Sequence, residues 1–303
     1  MANKDFKKRF MSTKALYFFV IPGLIYYAVF KYWPIFGSQI AFRDYSPYLG
    51  FVKSPWVGIE NFRRFFSSPD FWLILKNTLW INLVNLVVGF PFPIILALLL
   101  NQLKNKYFKK FVQTVTYAPY FISTVVMVGI LYTMLSPYSG VVNAVIKLFG
   151  GAPIHFMGEP DMYVMIYVLS GIWQTCGWSA IVYISALTSI SPDLHESAIV
   201  DGASRFQRMI YIDIPGIMPT IVTMLILTAG QLLTIGFEKS YLMQNSINLG
   251  VSEVISTYTY KRGLIDGDFS YATAVEMFQS VINFIVLILV NKIGKRINGT
   301  SLW

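Results

Sequence analysis

The sequence predicts an all-α integral membrane protein with six transmembrane helices. Hydrophobic residues make up 55% of the 303 residues and charged residues only 13%, about half of the roughly 25% that soluble domains carry. The mean hydropathy is +0.56. Several apolar runs reach about 20 residues, the length that a helix needs to cross a bilayer. Length alone would allow two soluble domains, but this composition favours one membrane domain over residues 1–303.

The apolar runs predict where the spans lie. The first follows the basic start MANKDFKKRFMSTK, as a signal peptide would. Its apolar run is longer than that of a signal peptide and no small-residue cleavage site follows closely, so we expect an uncleaved first helix. Pro91 and Pro93 predict a kink in the second span. The six expected spans are about Ala15–Phe36, Leu73–Leu100, Phe111–Leu135, Met162–Leu187, Gly216–Phe237 and Tyr271–Asn291.

The distribution of Lys and Arg predicts the orientation. With the N-terminus in the cytoplasm, fourteen of the 24 basic residues and five of the 15 acidic residues lie on the cytoplasmic side, in line with the positive-inside rule. Residues 1–14 and 292–303 are then cytoplasmic, and residues 15–291 form the six-helix region. The outer segments are about 37–72, 136–161 and 238–270. The last contains Val251, Val254, Ile255 and Tyr258 at i, i+3, i+4 and i+7, which predicts one face of a short helix, in the lipid interface or against a partner.

A polar segment, SPDLHESAIVDGASRFQRMIYIDIP, separates the fourth and fifth apolar runs. Ser191 is a suitable N-cap and Pro192 suits the first helical position, so a helix is expected to run to Val200. Gly202 allows a sharp turn or a close backbone approach because it has no Cβ.

A second short helix is expected to follow this turn from about Ala203. Its apolar side at i, i+3 and i+4 consists of Phe206, Met209 and Ile210. Pro215 then suits the start of the fifth span. The segment 188–215 is therefore predicted to be a cytoplasmic helix-turn-helix.

The residues and spacing of this segment resemble the cytoplasmic loop of bacterial ABC importer permeases. That loop has the form E-A-A, three residues, G, nine residues, I, one residue, L-P; here Ser197 replaces the first Ala and Ile214 the Leu. In the family it is the coupling helix that docks into a cleft on the ATP-hydrolysing subunit. An ordinary polar loop with two interfacial helices is the alternative. The coupling residues that the resemblance implies are Glu196, Ser197, Ala198, Asp201, Gly202, Ala203, Phe206 and Pro215.

Four further stretches resemble the carbohydrate branch of this family, the type I importers of maltose and alginate type. They are KYWPIFGSQIAFRDYSP, WVGIENFRRFF, YAPYFIS and ISTYTYKRGLIDGDFSYATAV. The resemblance implies a permease that carries oligosaccharides or polysaccharide fragments across the bacterial plasma membrane by alternating access. It also implies a heterodimer with a second homologous permease, two ATP-binding cassette subunits that bind ATP and Mg, and an extracellular solute-binding protein. The basic clusters lie beside apolar runs, which suits lipid rather than nucleic acid.

The sequence carries no motif for chemistry of its own. No G-x-x-x-x-G-K-[ST] phosphate loop is present, since Gly294-Lys295 lacks the upstream Gly and the following hydroxyl residue. No Cys or His pair has metal-ligand spacing, and His155 and His195 are expected to be loop residues. Cys176 is expected to be a small buried hydrophobe. The chain is thus predicted to be no enzyme and to hold no catalytic residue, metal or cofactor.

Polar side chains within the spans are candidates for a sugar pathway, because such groups are costly in lipid unless they face the interior. Amides and carboxylates can bind sugar hydroxyls, and Trp or Tyr can stack on a sugar ring. Alternatively, these groups form hydrogen bonds between neighbouring helices. The candidates are Asn82, Asn85, Tyr120, Gln174, Trp178, Gln231, Glu276, Gln279 and Asn283.

Three other functions are alternatives to this one. A permease of the same class could carry peptides or amino acids. An ATP-independent secondary transporter predicts inverted repeats and helices broken at the midplane, and it leaves the polar segment unexplained. A membrane enzyme could use Glu276 or Glu238 as acid or base, but the sequence offers no partner nucleophile or metal set.

Overall fold

The computed structural model describes residues 14–299 and 301–302 of the chain. The described residues form helices joined by turns, with one isolated β-bridge between Arg43 and Trp56. Five helices are long and apolar enough to cross a membrane, or six when one bent pair is counted as a span. The predicted all-α fold with six spans is thereby confirmed. The basic segment 1–13, predicted to be cytoplasmic, lies outside the described residues.

The chain divides into two compact units, 1–67 with 262–277 and 68–261 with 278–303. The first unit contains the first span, which runs to Phe42 rather than to Phe36. Its side chains from Tyr17 to Phe36 are all exposed, so lipid or another protein has to cover them. The described helices of this unit are Lys14–Tyr27, a π-helical turn Ala28–Tyr32, a 3-10 helix Trp33–Phe42, Gly50–Lys53 and Glu60–Phe66, with the start of Phe269–Asn298.

The second unit begins with the second span, Phe71–Asn101. It consists of Phe71–Val84, a π-helical turn Asn85–Gly89 and Pro91–Asn101. The irregularity predicted at Pro91 and Pro93 takes the form of this π turn. The same order recurs twice, since the turn Ala28–Tyr32 precedes Pro34 and the turn Met209–Asp213 precedes Pro215. A proline removes one helical N–H and crowds the carbonyl four residues earlier, and a widened turn accommodates both defects.

The third span is broken, whereas the sequence predicted one continuous helix over 111–135. Helix Lys106–Tyr117 continues as a 3-10 turn Ala118–Phe121, and Thr124–Met134 leaves it at an angle of 101°. Pro119 has no N–H for a longer helix, and the Ser123 side chain caps the new one by accepting from the Val126 amide.

The fourth span, Pro160–Leu187, is one helix of 28 residues and packs against the second, third and fifth spans. Gly177 allows the closest of these approaches, because an added Cβ would lie 2.0 Å from the Thr116 carbonyl oxygen. One apolar cluster fixes the fourth span to the C-terminal half of the second and to the fifth, and includes Ala97, Tyr183 and Ile217. A second cluster includes Ile81, Met127 and Met243.

The fifth span differs from the prediction at both ends. It runs without a break from helix Arg205–Arg208 through the π turn Met209–Asp213 into helix Ile214–Ala229. Pro215 lies in the first turn of that last helix, directly after the π turn that accommodates its missing N–H. The helix ends at Ala229 and not at Phe237, because residues 230–236 form a turn.

The segment after this turn consists of short helices. They are Phe237–Met243, Leu249–Ser252, Ile255–Tyr260 and a π turn Lys261–Ile265, and a further short helix, Val141–Leu148, precedes the fourth span. The single helix predicted over residues 251–258 is wrong, since Val254 is extended and separates two helices. Val254, Ile255 and Tyr258 are buried in the second unit, so this face packs inside the chain rather than on lipid or a partner. The sixth span belongs to helix Phe269–Asn298.

Candidate functional site

The predicted coupling segment forms a helix, a turn and the start of the fifth span. Ser191 has the extended backbone of an N-cap and Pro192 begins helix Pro192–Val200. Gly202 has a φ of 79°, a left-handed conformation that strains other residues. An added Cβ at Gly202 would meet no atom within 4 Å. Six of the eight predicted coupling residues are exposed, namely Glu196, Ser197, Asp201, Gly202, Phe206 and Pro215, whereas Ala198 and Ala203 are half-buried.

A buried carboxylate joins this segment to two spans. Asp213, in the π turn of the fifth span, is fully buried. Its Oδ2 accepts a hydrogen bond of 3.1 Å from Gln102 Nε2, at the end of the second span. His195 Nε2, on helix Pro192–Val200, lies 3.2 Å from Asp213 Oδ1, and Arg208 acts on the carboxylate electrostatically. The expectation that His195 is a loop residue is therefore wrong.

Sequence reasoning missed Asp213 and Gln102. The available signal was one acidic residue inside the apolar stretch MIYIDIP, since an unpaired carboxylate there would be costly. The partner could not be read from the sequence, because Gln102 is 111 residues away.

Three of the predicted pathway amides surround the turn that ends the fifth span. Asn82 Nδ2 donates to the Leu232 carbonyl oxygen at 2.7 Å. Asn283 Oδ1 accepts from the Leu233 amide at 2.9 Å, and its Nδ2 donates to Thr234 Oγ1 at 2.8 Å. Gln279 Nε2 also donates to Thr234 Oγ1, at 3.2 Å. Backbone that leaves the helix inside a membrane needs such partners, so these amides stabilise the break.

Gln174 likewise donates a hydrogen bond to the backbone at the break in the third span. Its Nε2 donates to the Ile122 carbonyl oxygen at 2.9 Å, between the two helices that meet at 101°. Gln231 is exposed at the start of the turn 230–236, and Glu276 is exposed on the sixth span in the first unit. The contacts of Gln174 therefore favour the hydrogen-bonding alternative for that residue.

Aromatic and small polar residues form an open cavity of about 320 Å³ beside the fourth span. Trp178 stacks on Tyr120 with ring centroids 4.6 Å apart and planes within 6°, and both side chains remain about two-fifths exposed. Trp178 and Asn85 line the cavity, whereas Cys176, predicted to be buried, is half-buried in its wall. The residues around it that carry polar groups are Asn85, Thr175, Cys176, Trp178, Ser179, Tyr183 and Thr228.

This arrangement of polar and aromatic groups is suited to binding a ligand. A hydroxyl-rich ligand can bind the polar groups and place an apolar ring face on the Trp178 stack. Within residues 14–299 and 301–302, no three His, Cys, Asp or Glu side chains are grouped to hold a metal ion.

Residues 89–299 match the family described as the binding-protein-dependent transport system inner membrane component. The chain is 42% identical over 304 residues to the polygalacturonan/rhamnogalacturonan transport system permease protein YteP of Bacillus subtilis (strain 168), covering 99% of this chain and 95% of that protein.

Solved structures give the same result for the fold. A chain in the crystal structure of a bacterial ABC transporter involved in the import of the acidic polysaccharide alginate superposes with a TM-score of 0.89 at 37% identity, covering 97% of this chain and 99% of the other. A second structure, of the alginate transporter in complex with an alginate pentasaccharide-bound periplasmic protein, matches with the same TM-score, identity and coverage.

Proposed function

The chain belongs to the family of inner-membrane components of binding-protein-dependent transport systems, and from that premise we propose that it is the permease subunit of an ATP-driven importer of oligosaccharides or polysaccharide fragments. The similarity to a polygalacturonan/rhamnogalacturonan permease and to an alginate importer extends over almost the whole chain, which supports a carbohydrate as cargo. The open cavity lined by Trp178, whose ring also stacks on Tyr120, supports the same cargo, because sugar rings pack on aromatic faces.

The proposed assembly contains four other subunits or partners of three kinds. A second homologous permease completes the membrane part, and two ATP-binding cassette subunits bind ATP and Mg. An extracellular solute-binding protein delivers the sugar, as supported by the family description and by the periplasmic protein in the alginate complex. The exposed first span, residues 17–36, offers apolar surface for lipid or for the second permease.

The proposed orientation places both termini and the segment 188–215 in the cytoplasm of a bacterial plasma membrane. The excess of basic residues on that side supports it. The residues 1–303 then act as one permease domain, with the short helices after residue 236 on the outer side.

In the proposed mechanism, helix Pro192–Val200 docks on an ATPase subunit through its exposed residues. Glu196 supplies a charge for an ion pair, and Gly202 sets the turn that directs the chain back to the fifth span. Movement of the docked helix reaches two spans through Asp213 and Gln102. Closure of the ATPase pair thereby turns the pathway outward, and hydrolysis returns it inward.

The observation that carries the proposal is the exposed helix joined to the second and fifth spans by a buried carboxylate. The test is reconstitution of the chain with its permease, ATPase and binding-protein partners in lipid vesicles. We expect ATP-dependent uptake of a labelled oligosaccharide that unlabelled di- and tripeptides do not reduce. Uptake that needs no ATP, or competition by the peptides alone, would contradict the proposal.

A further inference from the structure

The side chain of Lys239, in the second unit, packs against the fourth span. Lys239 lies in helix Phe237–Met243, directly after the turn 230–236. Its Nζ donates to the Tyr167 carbonyl oxygen at 2.6 Å and lies 4.3 Å from the centroid of the Tyr167 ring. A Cβ at Gly171 would lie 3.2 Å from the same nitrogen. The ammonium group is thus placed on the helix surface between Tyr167 and Gly171, where the glycine leaves room.

The charge of Lys239 has no acidic partner among the described residues. Lys261, in the same segment, provides the contrast, because its amine binds the Glu253 carboxylate and Gln244 Oε1. Lys239 has only a carbonyl oxygen and an aromatic face. Glu238 is its neighbour in sequence but is exposed and on another side of the helix. Burial lowers the pKa of Lys239 to about 7, as expected for an ammonium group that lacks a counter-charge.

The position of the amine relates it to the open cavity. Gly171, Thr175, Trp178 and Val182 follow at i, i+4, i+7 and i+11 and therefore share one face of the fourth span. The last three line the cavity. At about 1.5 Å of rise per residue, Gly171 is about 6 Å along the helix from Thr175. The ammonium group therefore lies just beyond one end of the cavity, on the same helix face.

We propose that Lys239 binds a carboxylate of the cargo, and that the cargo is an acidic oligosaccharide containing uronate units. This inference rests on the proposed function. An ammonium group has three donors, and one of them is used by Tyr167. The other two have no hydrogen-bond acceptor among the described residues and can bind a carboxylate. A sugar carboxylate restores the counter-charge while the neutral part of the sugar occupies the cavity beside Trp178.

The test uses the complete reconstituted transporter and two probes of equal length, trigalacturonate and neutral maltotriose. Lys239→Gln is expected to lower uptake of trigalacturonate by about tenfold or more, since contacts to charged groups are worth that much. Lys239→Arg keeps the charge in a larger group and should retain more trigalacturonate uptake than Lys239→Gln. Lys147→Gln, which changes an exposed lysine of helix Val141–Leu148, is the matched control and should change nothing. Where maltotriose is taken up, its uptake should be the same in the wild type and in all three variants.

A second variant gives a result even where Lys239→Gln does not assemble. Gly171→Ala keeps the charge and places a methyl group 3.2 Å from the amine. We expect it to weaken trigalacturonate uptake by about threefold and to leave maltotriose uptake unchanged.

Several outcomes would overturn the inference. One is that Lys239→Gln changes the uptake of both probes equally or of neither. Another is that the second permease is lost from purified Lys239→Gln complexes, which would assign the lysine an acidic partner in that subunit. Wild-type uptake of maltotriose without trigalacturonate would refute the acidic cargo and leave the proposed function in place. A wild-type transporter that imports neither probe with ATP would instead count against the proposed function itself.

Discussion

The coupling segment and the breaks in the third and fifth spans use different polar groups to hold the chain together. Both need polar partners where apolar helices meet. In the coupling segment, one buried carboxylate, Asp213, draws in His195 and Gln102 from two other elements. At the breaks, separate uncharged amides each bind backbone groups, as Asn82 does with Leu232 and Gln174 with Ile122.

The difference indicates which region can rearrange. Leaving a buried charge without its partners costs about 3–5 kcal/mol, so the elements around Asp213 are expected to move together. Exchanging one neutral hydrogen bond for another costs about 1 kcal/mol, so the breaks can change shape as a pathway opens. We therefore expect the elements that meet at Asp213 to form a rigid joint and the backbone at the two breaks to be adaptable.

The largest effect is expected from Gly202→Leu, which tests the coupling segment. Left-handed backbone costs a residue with a Cβ about 1–3 kcal/mol, and the new side chain would project from the proposed docking surface. We expect ATP-dependent uptake to fall by more than about tenfold, while the purified chain remains folded. Vesicle uptake and co-purification of the ATPase measure this effect.

The matched control for this variant is Gly150→Leu. Gly150 has a φ of 78° and equally open surroundings, in the segment between the third and fourth spans. It carries the same backbone strain away from the coupling segment. If the two variants lose uptake equally, strain alone is the cause and the coupling role of Gly202 is wrong.

The second effect tests the rigid joint through Asp213→Asn. The amide keeps the shape but loses the charge that faces His195 and Arg208. We expect a loss of about 2 kcal/mol in stability and uptake reduced several-fold relative to ATP hydrolysis. Asp193→Asn, an exposed acid on the same segment, is the control. We compare the unfolding temperature and the ratio of uptake to ATP hydrolysis between the two variants. If Asp213→Asn matches Asp193→Asn in both quantities, the elements around Asp213 do not form a rigid joint.

The sequence predicted most of the fold because its signals are local. Six apolar runs marked the spans, and Ser191, Pro192 and Gly202 marked the helix and the turn of the coupling segment. The predictions are wrong where a residue distant in sequence determines the end of a helix. The fifth span ends at Ala229 because Asn82 and Asn283 bind the turn after it, and hydropathy over 230–237 carries no sign of that.

The candidate site was predictable in part for the same reason. Polar residues in apolar spans identified the positions, but their spacing could not distinguish a sugar contact from a helix contact. The structure places Asn82, Gln174 and Asn283 on backbone groups and leaves Trp178 and Asn85 on the cavity. Lys239 was overlooked because it follows the predicted span and appears as one more charge of an outer segment.

The third effect tests the cavity through Trp178→Ala. Removing the Trp178 ring, which lines the cavity, takes away the aromatic face proposed to contact a sugar ring, worth about 0.5–1.5 kcal/mol. We expect a KM for oligosaccharide uptake raised by about three- to tenfold, with ATP hydrolysis unchanged. Trp173→Ala is the control, since Trp173 is also about half exposed and lines a separate apolar groove. If the KM rises equally in both variants, Trp178 does not contact the sugar in the pathway.

The smallest effect on transport is expected from Asn283→Ala, which tests whether the breaks are held by exchangeable bonds. The change leaves the Leu233 amide without its side-chain acceptor and removes one of the two amides that donate to Thr234 Oγ1, which costs about 1–3 kcal/mol. Thermal unfolding should therefore occur at a lower temperature. Uptake should stay within about twofold, because Asn82 and Gln279 still bind the same turn. Gln231→Ala, at an exposed amide of that turn, should alter neither quantity. A loss of uptake as large as that of Gly202→Leu would mean that Asn283 contacts the sugar, and the contrast between rigid joint and adaptable break would no longer hold.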